Sequence, residues 1–254
     1  MCPQMKIAVA GGTGRLGRHV VDFLQADGHD AFAMSRSTGV DVVTGEGLDA
    51  ALEGVDVLVD SATGPSPDQQ QATEFFNASA RNLQEAAARA GVNRIVVVSI
   101  IGIERFEGGY NAAKVAQEQA MLLGPVPVRI VRAAQFHEYI GQFLDWGRRG
   151  DTVYLPELRT QVVEARAAAE TVARVAVNPD APLYTEVAGP RAERLADIGR
   201  QLVAQRGEAV LVEAAEYDPS DADQRAFAEG ALLPGPDAVL AGPTFEDWLG
   251  VTVR

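Results

Sequence analysis

Cysteine is almost missing from this chain. Cys2 is the only one in 254 residues, which excludes an intrachain disulfide and a cysteine-based metal site. Histidine is scarce as well. His19, His29 and His137 are scattered, so no metal-ligating cluster is expected. Basic residues are outnumbered, 22 against 35 acidic ones, for a net charge of -13. A nucleic-acid backbone or an anionic membrane surface calls for the opposite sign, so neither is an expected partner. No apolar run reaches membrane-spanning length. The first six residues lack the apolar centre of a signal peptide. The expectation is a cytoplasmic protein acting on small molecules.

Hydrophobic residues are plentiful, at 47%, enough to fill a sizeable core. The length suits one large α/β domain or a domain with a small appended lobe. The chain is organised around Gly11-Gly12-Thr13-Gly14-Arg15-Leu16-Gly17. A short apolar run at 6–10 reads as a buried strand before it, and 15–26 reads as a helix after it. Strand, glycine turn and helix together are the context in which such glycines bind a dinucleotide. Glycines let the backbone turn tightly and approach a pyrophosphate with no Cβ in the way. The helix N-terminus offers N–H groups and a positive dipole end to the phosphates.

Further strands are expected at 30–34, 40–43, 55–60, 94–99 and 128–132, and helices at 48–53, 69–90 and 111–123. The alternation predicts an α/β, Rossmann-type, doubly wound and mostly parallel sheet with helices on both faces. After residue 133 the alternation loosens. Short strands at 152–155, 161–164, 183–188 and 209–213, and helices at 165–177, 195–205 and 245–249, predict a small C-terminal α+β lobe. The expected division is a dinucleotide-binding core at 1–133 and a mixed substrate-binding lobe at 134–254, with elements returning to the core. The acidic stretch 213–229 reads as a solvated face.

Three places carry candidate chemistry. The strand at 30–34 ends in Ser35-Arg36-Ser37, with no carboxylate. An acidic residue there would hold the ribose 2′-OH of NAD, whereas an arginine favours the 2′-phosphate of NADP. A guanidinium fork flanked by two hydroxyls suits a phosphate monoester. Tyr110 and Lys114 lie one helical turn apart and share a face. A tyrosine titrating near 10 is a poor base at neutral pH, and a nearby ammonium favours its phenolate. The pair suits proton transfer to or from a carbonyl or alcohol oxygen during hydride transfer. Ser99, at the end of the strand at 94–99, is expected to hydrogen-bond the same oxygen.

The glycine turn, Ser99 and Tyr110-x-x-x-Lys114 together resemble a short-chain dehydrogenase/reductase. The Gly-Gly-Thr-Gly-Arg-Leu-Gly segment, the Ser-Arg-Ser turn and Asp60-Ser61-Ala62-Thr63-Gly64, in place of an Asn-Asn-Ala-Gly tetrapeptide, are similar to the atypical, NmrA-like, NAD(P)-binding branch. The resemblance runs on through 131–138, 188–190 and 244–249, so it covers nearly the whole chain. It implies NADP, with the nicotinamide facing Ser99, Tyr110 and Lys114. It implies cofactor contacts at Gly11, Thr13, Gly14, Arg15, Leu16 and Gly17, at Ser35, Arg36 and Ser37, at Ser61, Ala62 and Thr63, and at Lys114. Relatives often carry an aspartate after Gln-Pro-Val, where this chain has Gln161-Val162-Val163-Glu164.

His137, expected just after a strand and among Phe136, Tyr139 and Phe143, is a candidate to donate a proton or to orient substrate. A backbone-satisfied core histidine is the alternative. The aromatic residues at 136, 139, 143 and 146 recur at helical spacing and suit a core or a pocket wall. The expected function is NADPH-dependent hydride transfer to a carbonyl, quinone or activated alkene, with Tyr110, Lys114, Ser99 and His137 as the catalytic candidates. The alternatives are a non-catalytic NADP-sensing regulator, or an epimerase, dehydratase or cyclase on the same fold. Substrate identity and oligomeric state are not legible.

Overall fold

The computed structural model describes residues 3–64 and 66–252. Cys2 and Pro65 lie outside the described residues. Along the chain come β1 (Lys6–Ala10), α1 (Gly17–Ala26), β2 (Asp30–Met34), α2 (Leu48–Ala51), β3 (Val57–Asp60), α3 (Gln69–Ala90), β4 (Arg94–Ile100), α4 (Gly109–Leu122) and β5 (Val128–Ala133). They are followed by α5 (Ile140–Gly147), β6 (Arg148–Arg149), β7 (Thr152–Leu155), β8 (Arg159–Thr160), α6 (Ala165–Val177), β9 (Tyr184–Ala188), β10 (Glu193–Arg194), α7 (Leu195–Arg206), β11 (Leu211–Ala214), α8 (Ala222–Ala228), β12 (Val239–Leu240) and α9 (Phe245–Thr252).

The main sheet has seven strands in the order β12-β9-β5-β4-β3-β1-β2. Pairs β1–β2, β1–β3, β3–β4 and β9–β12 are parallel, giving the Rossmann-type α/β architecture. Strand order reverses between β1 and β3, and ligands of such sheets sit beyond the strand C-termini at that switch. Backbone contacts group the chain into two units. The first is Met1–Ser99, Gly108–Arg132 and Ala169–Thr185; the second is Ile100–Glu107, Ala133–Ala168 and Glu186–Arg254.

In the first unit, most strand side chains of β1, β3 and β4 are buried, together with one face of α3 that includes Ala72, Phe76, Ala80 and Leu83. Asp68 starts α3 by accepting the Gln71 N–H at 3.0 Å, and Gly91 ends it at φ +73°. Inside α3, Gln84 is buried yet fully partnered. Its amide donates to the Met121 carbonyl and its oxygen accepts the Val126 N–H, at 2.7 and 2.9 Å. That clamp ties α3 to the turn after α4. Glu118 of α4 is a bidentate acceptor for Arg132 of β5, at 3.0 and 2.7 Å. Arg132 also stacks over Tyr184, 4.6 Å from the ring centre. The second unit has its own core around Ile140, Leu144, Val153, Leu155 and Ile198. It includes a three-stranded sheet, β11-β7-β6.

Two expected strands do not form. Residues 40–43 make a turn instead. The Asp41 carboxylate accepts the Val43 and Thr44 N–H groups, at 2.8 and 3.3 Å, offering the backbone a local alternative to a ladder. The strand holding Ser99 is therefore the fourth. Residues 161–164 make a single bridge, Val163 with Phe136; the two-residue β8 comes just before and pairs with β10. Gln161 instead bonds Gly189, its side-chain amide donating to the glycine carbonyl at 2.6 Å and its backbone carbonyl accepting the glycine N–H at 3.0 Å. The acidic stretch contains α8, started by Asp221 accepting the Asp223 and Gln224 N–H groups. No helix of the described residues is long and apolar enough to cross a membrane.

Candidate functional site

The glycine turn leaves β1 at Gly11, whose N–H donates to the Met34 carbonyl at 2.9 Å. That bond brings the end of β2 beside the turn. Gly12 donates to the Val9 carbonyl at 3.0 Å and Gly14 to the Gly11 carbonyl at 2.9 Å. A Cβ on Gly17 would lie 2.3 Å from the Gly11 carbonyl oxygen, and one on Gly12 would lie 2.6 Å from the Val9 oxygen and the Ala33 Cα. Gly11 has φ +70°, and a Cβ there would meet Ala62 at 2.8 Å. Only glycine fits these three positions. The helix begins at Gly17, two residues later than expected, because residues 11–16 are spent on the turn. Thr13, Gly14 and Arg15 are exposed. Leu16 is buried and precedes α1, which no side chain caps.

The other two expected cofactor segments flank this turn. Arg36 and Ser37 lie on a single helical turn, Arg36–Thr38, which Ser35 precedes in extended backbone. The Ser35 N–H donates to Thr38 Oγ1 at 2.8 Å, and the two serine hydroxyls share a hydrogen bond at 2.8 Å. Arg36 is exposed; its backbone carbonyl accepts the Gly39 N–H at 3.2 Å, and its guanidinium has no hydrogen bond or ion pair among the described residues. After β3, the Ser61 hydroxyl donates to the Ala10 carbonyl at 2.8 Å. This pins the start of the Ser61-Ala62-Thr63 loop to the end of β1.

Tyr110 and Lys114 lie on α4, whose Gly109 N–H donates to Gln69 Oε1 of α3 at 2.9 Å. Both meet Phe76 of α3. The Tyr110 ring packs edge-on to it at 5.7 Å, and the Lys114 ammonium sits 4.6 Å from its centre. Lys114, one of two lysines in the sequence, is buried. It donates to the Val98 carbonyl at 2.8 Å and to Gln117 Oε1. Gln117 donates in turn to Asp60 Oδ2 at 2.9 Å. Burial pushes the Lys114 ammonium down to about 8, against the pull of Asp60 and Glu118, so it still carries its charge at neutral pH. Burial raises the Asp60 carboxyl, opposed by Lys114, the Ala62 N–H and Gln117.

Ser99 precedes the last residue of β4 and is buried. Its hydroxyl has no hydrogen-bond partner among the described residues. His137 lies in the second unit, buried against Phe245 and Trp248 with ring centres 5.3 Å away. Its Nε2 pairs with the Val162 carbonyl at 3.1 Å, while Nδ1 has no partner among the described residues. That bond makes Nε2 the protonated nitrogen and Nδ1 an acceptor. Burial pushes its pKa down to about 4, partly offset by the Val162 bond. His137 is therefore neutral at physiological pH.

This sets a pH dependence. Below the ordinary histidine value of 6.5, the unfolded chain takes up a proton that the folded chain refuses until about 4. Stability contributed by this site falls as pH drops through that window and is unchanged above it. His137→Gln keeps a donor for Val162 and cannot titrate. Its stability relative to wild type is expected to rise by about 2 kcal/mol between pH ~7.5 and pH ~5. Urea denaturation at the two pH values measures this, and a pH-independent difference would contradict it.

Residues 11–134 match the model of a family described as NAD(P)H-binding. The chain carries an NAD(P)H-binding domain. Two curated relatives match it. One is the photosystem II assembly factor Ycf39 of Synechocystis sp., 31% identical over 111 residues, covering 38% of this chain and 34% of that protein. The other is the L-arabinose 1-dehydrogenase (NAD(P)(+)) of Haloferax volcanii, 26% identical over 170 residues, covering 63% of this chain and 65% of that protein. The matches thus span less than two thirds of either relative. The solved structure of the NADPH-dependent quinone oxidoreductase QOR2 of Escherichia coli, complexed with NADPH, superimposes with a TM-score of 0.70. Its identity is 17%, covering 98% of this chain and 100% of that one. This likeness is one of fold.

The residues of the NAD(P)H-binding domain fit a dinucleotide. A glycine cradle that any Cβ would fill leads into a helix whose start no side chain caps, and Ser99 keeps a buried hydroxyl without a partner. Sequence reasoning missed Asp60, Gln117 and Phe76 as partners of Lys114. Gln117 carries a faint signal, lying three residues after Lys114 on the same helix face. The Asp60 link spans 57 residues and has none.

Proposed function

We propose that the chain is an NADPH-dependent oxidoreductase that reduces a carbonyl, quinone or activated alkene of a small organic substrate. The observation that carries this reading is the pair on α4, a half-buried Tyr110 one turn from a buried, charged Lys114, within an NAD(P)H-binding domain. A bound NADPH would supply the hydride. Tyr110 donates the proton to the substrate oxygen, and the nearby ammonium stabilises the phenolate that remains. Lys114 also holds the cofactor ribose. Ser99 offers its unpartnered hydroxyl to the same substrate oxygen. His137, neutral at physiological pH, takes no part in proton transfer.

Arg36, with Ser35 and Ser37, receives the 2′-phosphate and selects NADP over NAD. Charge-assisted hydrogen bonds contribute about 1.5–3 kcal/mol, so Arg36→Ala is expected to weaken NADPH binding about 10- to 100-fold. NADH binding should hardly change, and stability should hardly change because the exposed Arg36 guanidinium has no hydrogen bond or ion pair to lose among the described residues. Fluorescence titration with both cofactors measures this; equal loss for both would remove the assignment.

The reaction is tested by following NADPH absorbance with a panel of quinones, ketones and conjugated enones. Consumption with one class supports the reading. Tight NADP binding with no consumption anywhere favours the sensing regulator. Turnover of a substrate with the bound cofactor unchanged favours an epimerase, dehydratase or cyclase.

A further inference from the structure

We propose that Asp60 and Gln117 are positioning residues, a two-residue relay by which one buried carboxylate holds both the Lys114 ammonium and the loop beginning at Ser61. The two oxygens of Asp60 are divided between these tasks. Oδ1 accepts the Ala62 N–H at 3.1 Å, and Oδ2 accepts the Gln117 side-chain N–H at 2.9 Å. Gln117 passes the interaction on, its Oε1 accepting from Lys114. Asp60 and Gln117 are each 1% exposed, so water does not take over either role. Ala62 in turn lies where a Cβ on Gly11 would touch it. The carboxylate therefore couples the lysine to the loop against the glycine turn. The proposal rests on the reading of Lys114 as a residue that holds the cofactor.

The polarity of the chain makes it testable. Asp60 must accept twice and Gln117 must donate once and accept once. Asp60→Asn supplies one acceptor where two donors arrive. Gln117→Glu turns a donor into a second carboxylate facing the first. Combined, the two changes restore every hydrogen bond with the polarity exchanged. The new amide at position 60 accepts from Ala62 and donates to the new carboxylate at position 117. That carboxylate accepts from Lys114 as well, and the formal charge of the pair is unchanged. A merely volume-filling or charge-balancing role has no reason to show this reciprocity.

The experiment is fluorescence titration of NADPH into wild type, both single variants, the double variant and Lys114→Met, with Tm measured on each. Each single variant is expected to raise the NADPH Kd about tenfold, and the double variant to return within about twofold of wild type. Singles that bind as wild type, or a folded double no better than the worse single, overturn the proposal. So does a Tm loss in the singles with NADPH affinity unchanged, since that is a structural role alone. Should a single variant not fold, the double is compared with wild type directly. Affinity within about twofold supports the relay, and a tenfold loss in the folded double overturns it. Wild-type affinity in Lys114→Met overturns the reading of Lys114 on which the proposal rests. A loss in Lys114→Met beside wild-type affinity in both singles overturns the relay alone.

Discussion

Tyr110→Phe is expected to lower kcat about 10²- to 10⁴-fold, the usual worth of one positioned acid–base group, while leaving NADPH affinity close to wild type. The change removes one hydroxyl and keeps the ring. The edge contact with Phe76 at 5.7 Å is made by the ring and survives. The neighbouring Lys114 is anchored by Val98, Gln117 and Phe76, so its place does not depend on the tyrosine. A loss confined to kcat marks an interaction made in the transition state. Turnover at the wild-type rate with a substrate from the panel would remove Tyr110 from the mechanism. A matching loss of NADPH affinity would assign it to binding instead.

Gly17→Ala is expected to weaken NADPH binding by at least ~100-fold, equivalent to about 2.7 kcal/mol, and to lower Tm. Two effects compete. In a helix, alanine is favoured over glycine by about 1 kcal/mol. Against that, the new Cβ would stand 2.3 Å from the Gly11 carbonyl oxygen and 2.8 Å from the Gly12 Cα. Both are backbone atoms of the turn itself and have no rotamer to escape into. Overpacking of this kind typically costs about 1–3 kcal/mol, so the clash wins and the cradle opens. Gly14→Ala is the graded comparison. Its Cβ would meet the same oxygen at 3.0 Å, and its effect should be smaller. Equal effects at Gly14 and Gly17 in the same titration would show that the contact distance is not what matters.

The match between sequence and structure follows from the range of the forces involved. Helices α3 and α6 have the expected bounds, because their signals are local: Asp68 before α3, Gly91 after it, and Pro179 shortly beyond α6. The strand expected at 40–43 does not form for an equally local reason, since Asp41 satisfies the backbone of its own turn. Val40, Val42 and Val43 around it hide that competition in the sequence, because β-branched residues favour a strand. The β strands around the glycine turn are legible as apolar runs. Their order, which brings Met34, Ala10 and Ser61 together, arises from pairing between distant segments.

By itself, the sequence determined the glycine turn, the alternation of strands and helices, and the placing of Tyr110 and Lys114 on one helix face. Each depends on residues within a few positions of one another, where backbone sterics and helical periodicity decide the outcome. Tertiary structure alone decided the charge and reach of those groups. Lys114 is held down to about 8 because α4 buries it beside Phe76, away from water, a penalty that the Asp60 and Glu118 carboxylates only partly offset. His137 is neutral because Phe245 and Trp248, more than 100 residues later in the chain, cover its ring. Burial and its electrostatic consequences are set by what packs around a group, and that is fixed only when distant segments meet.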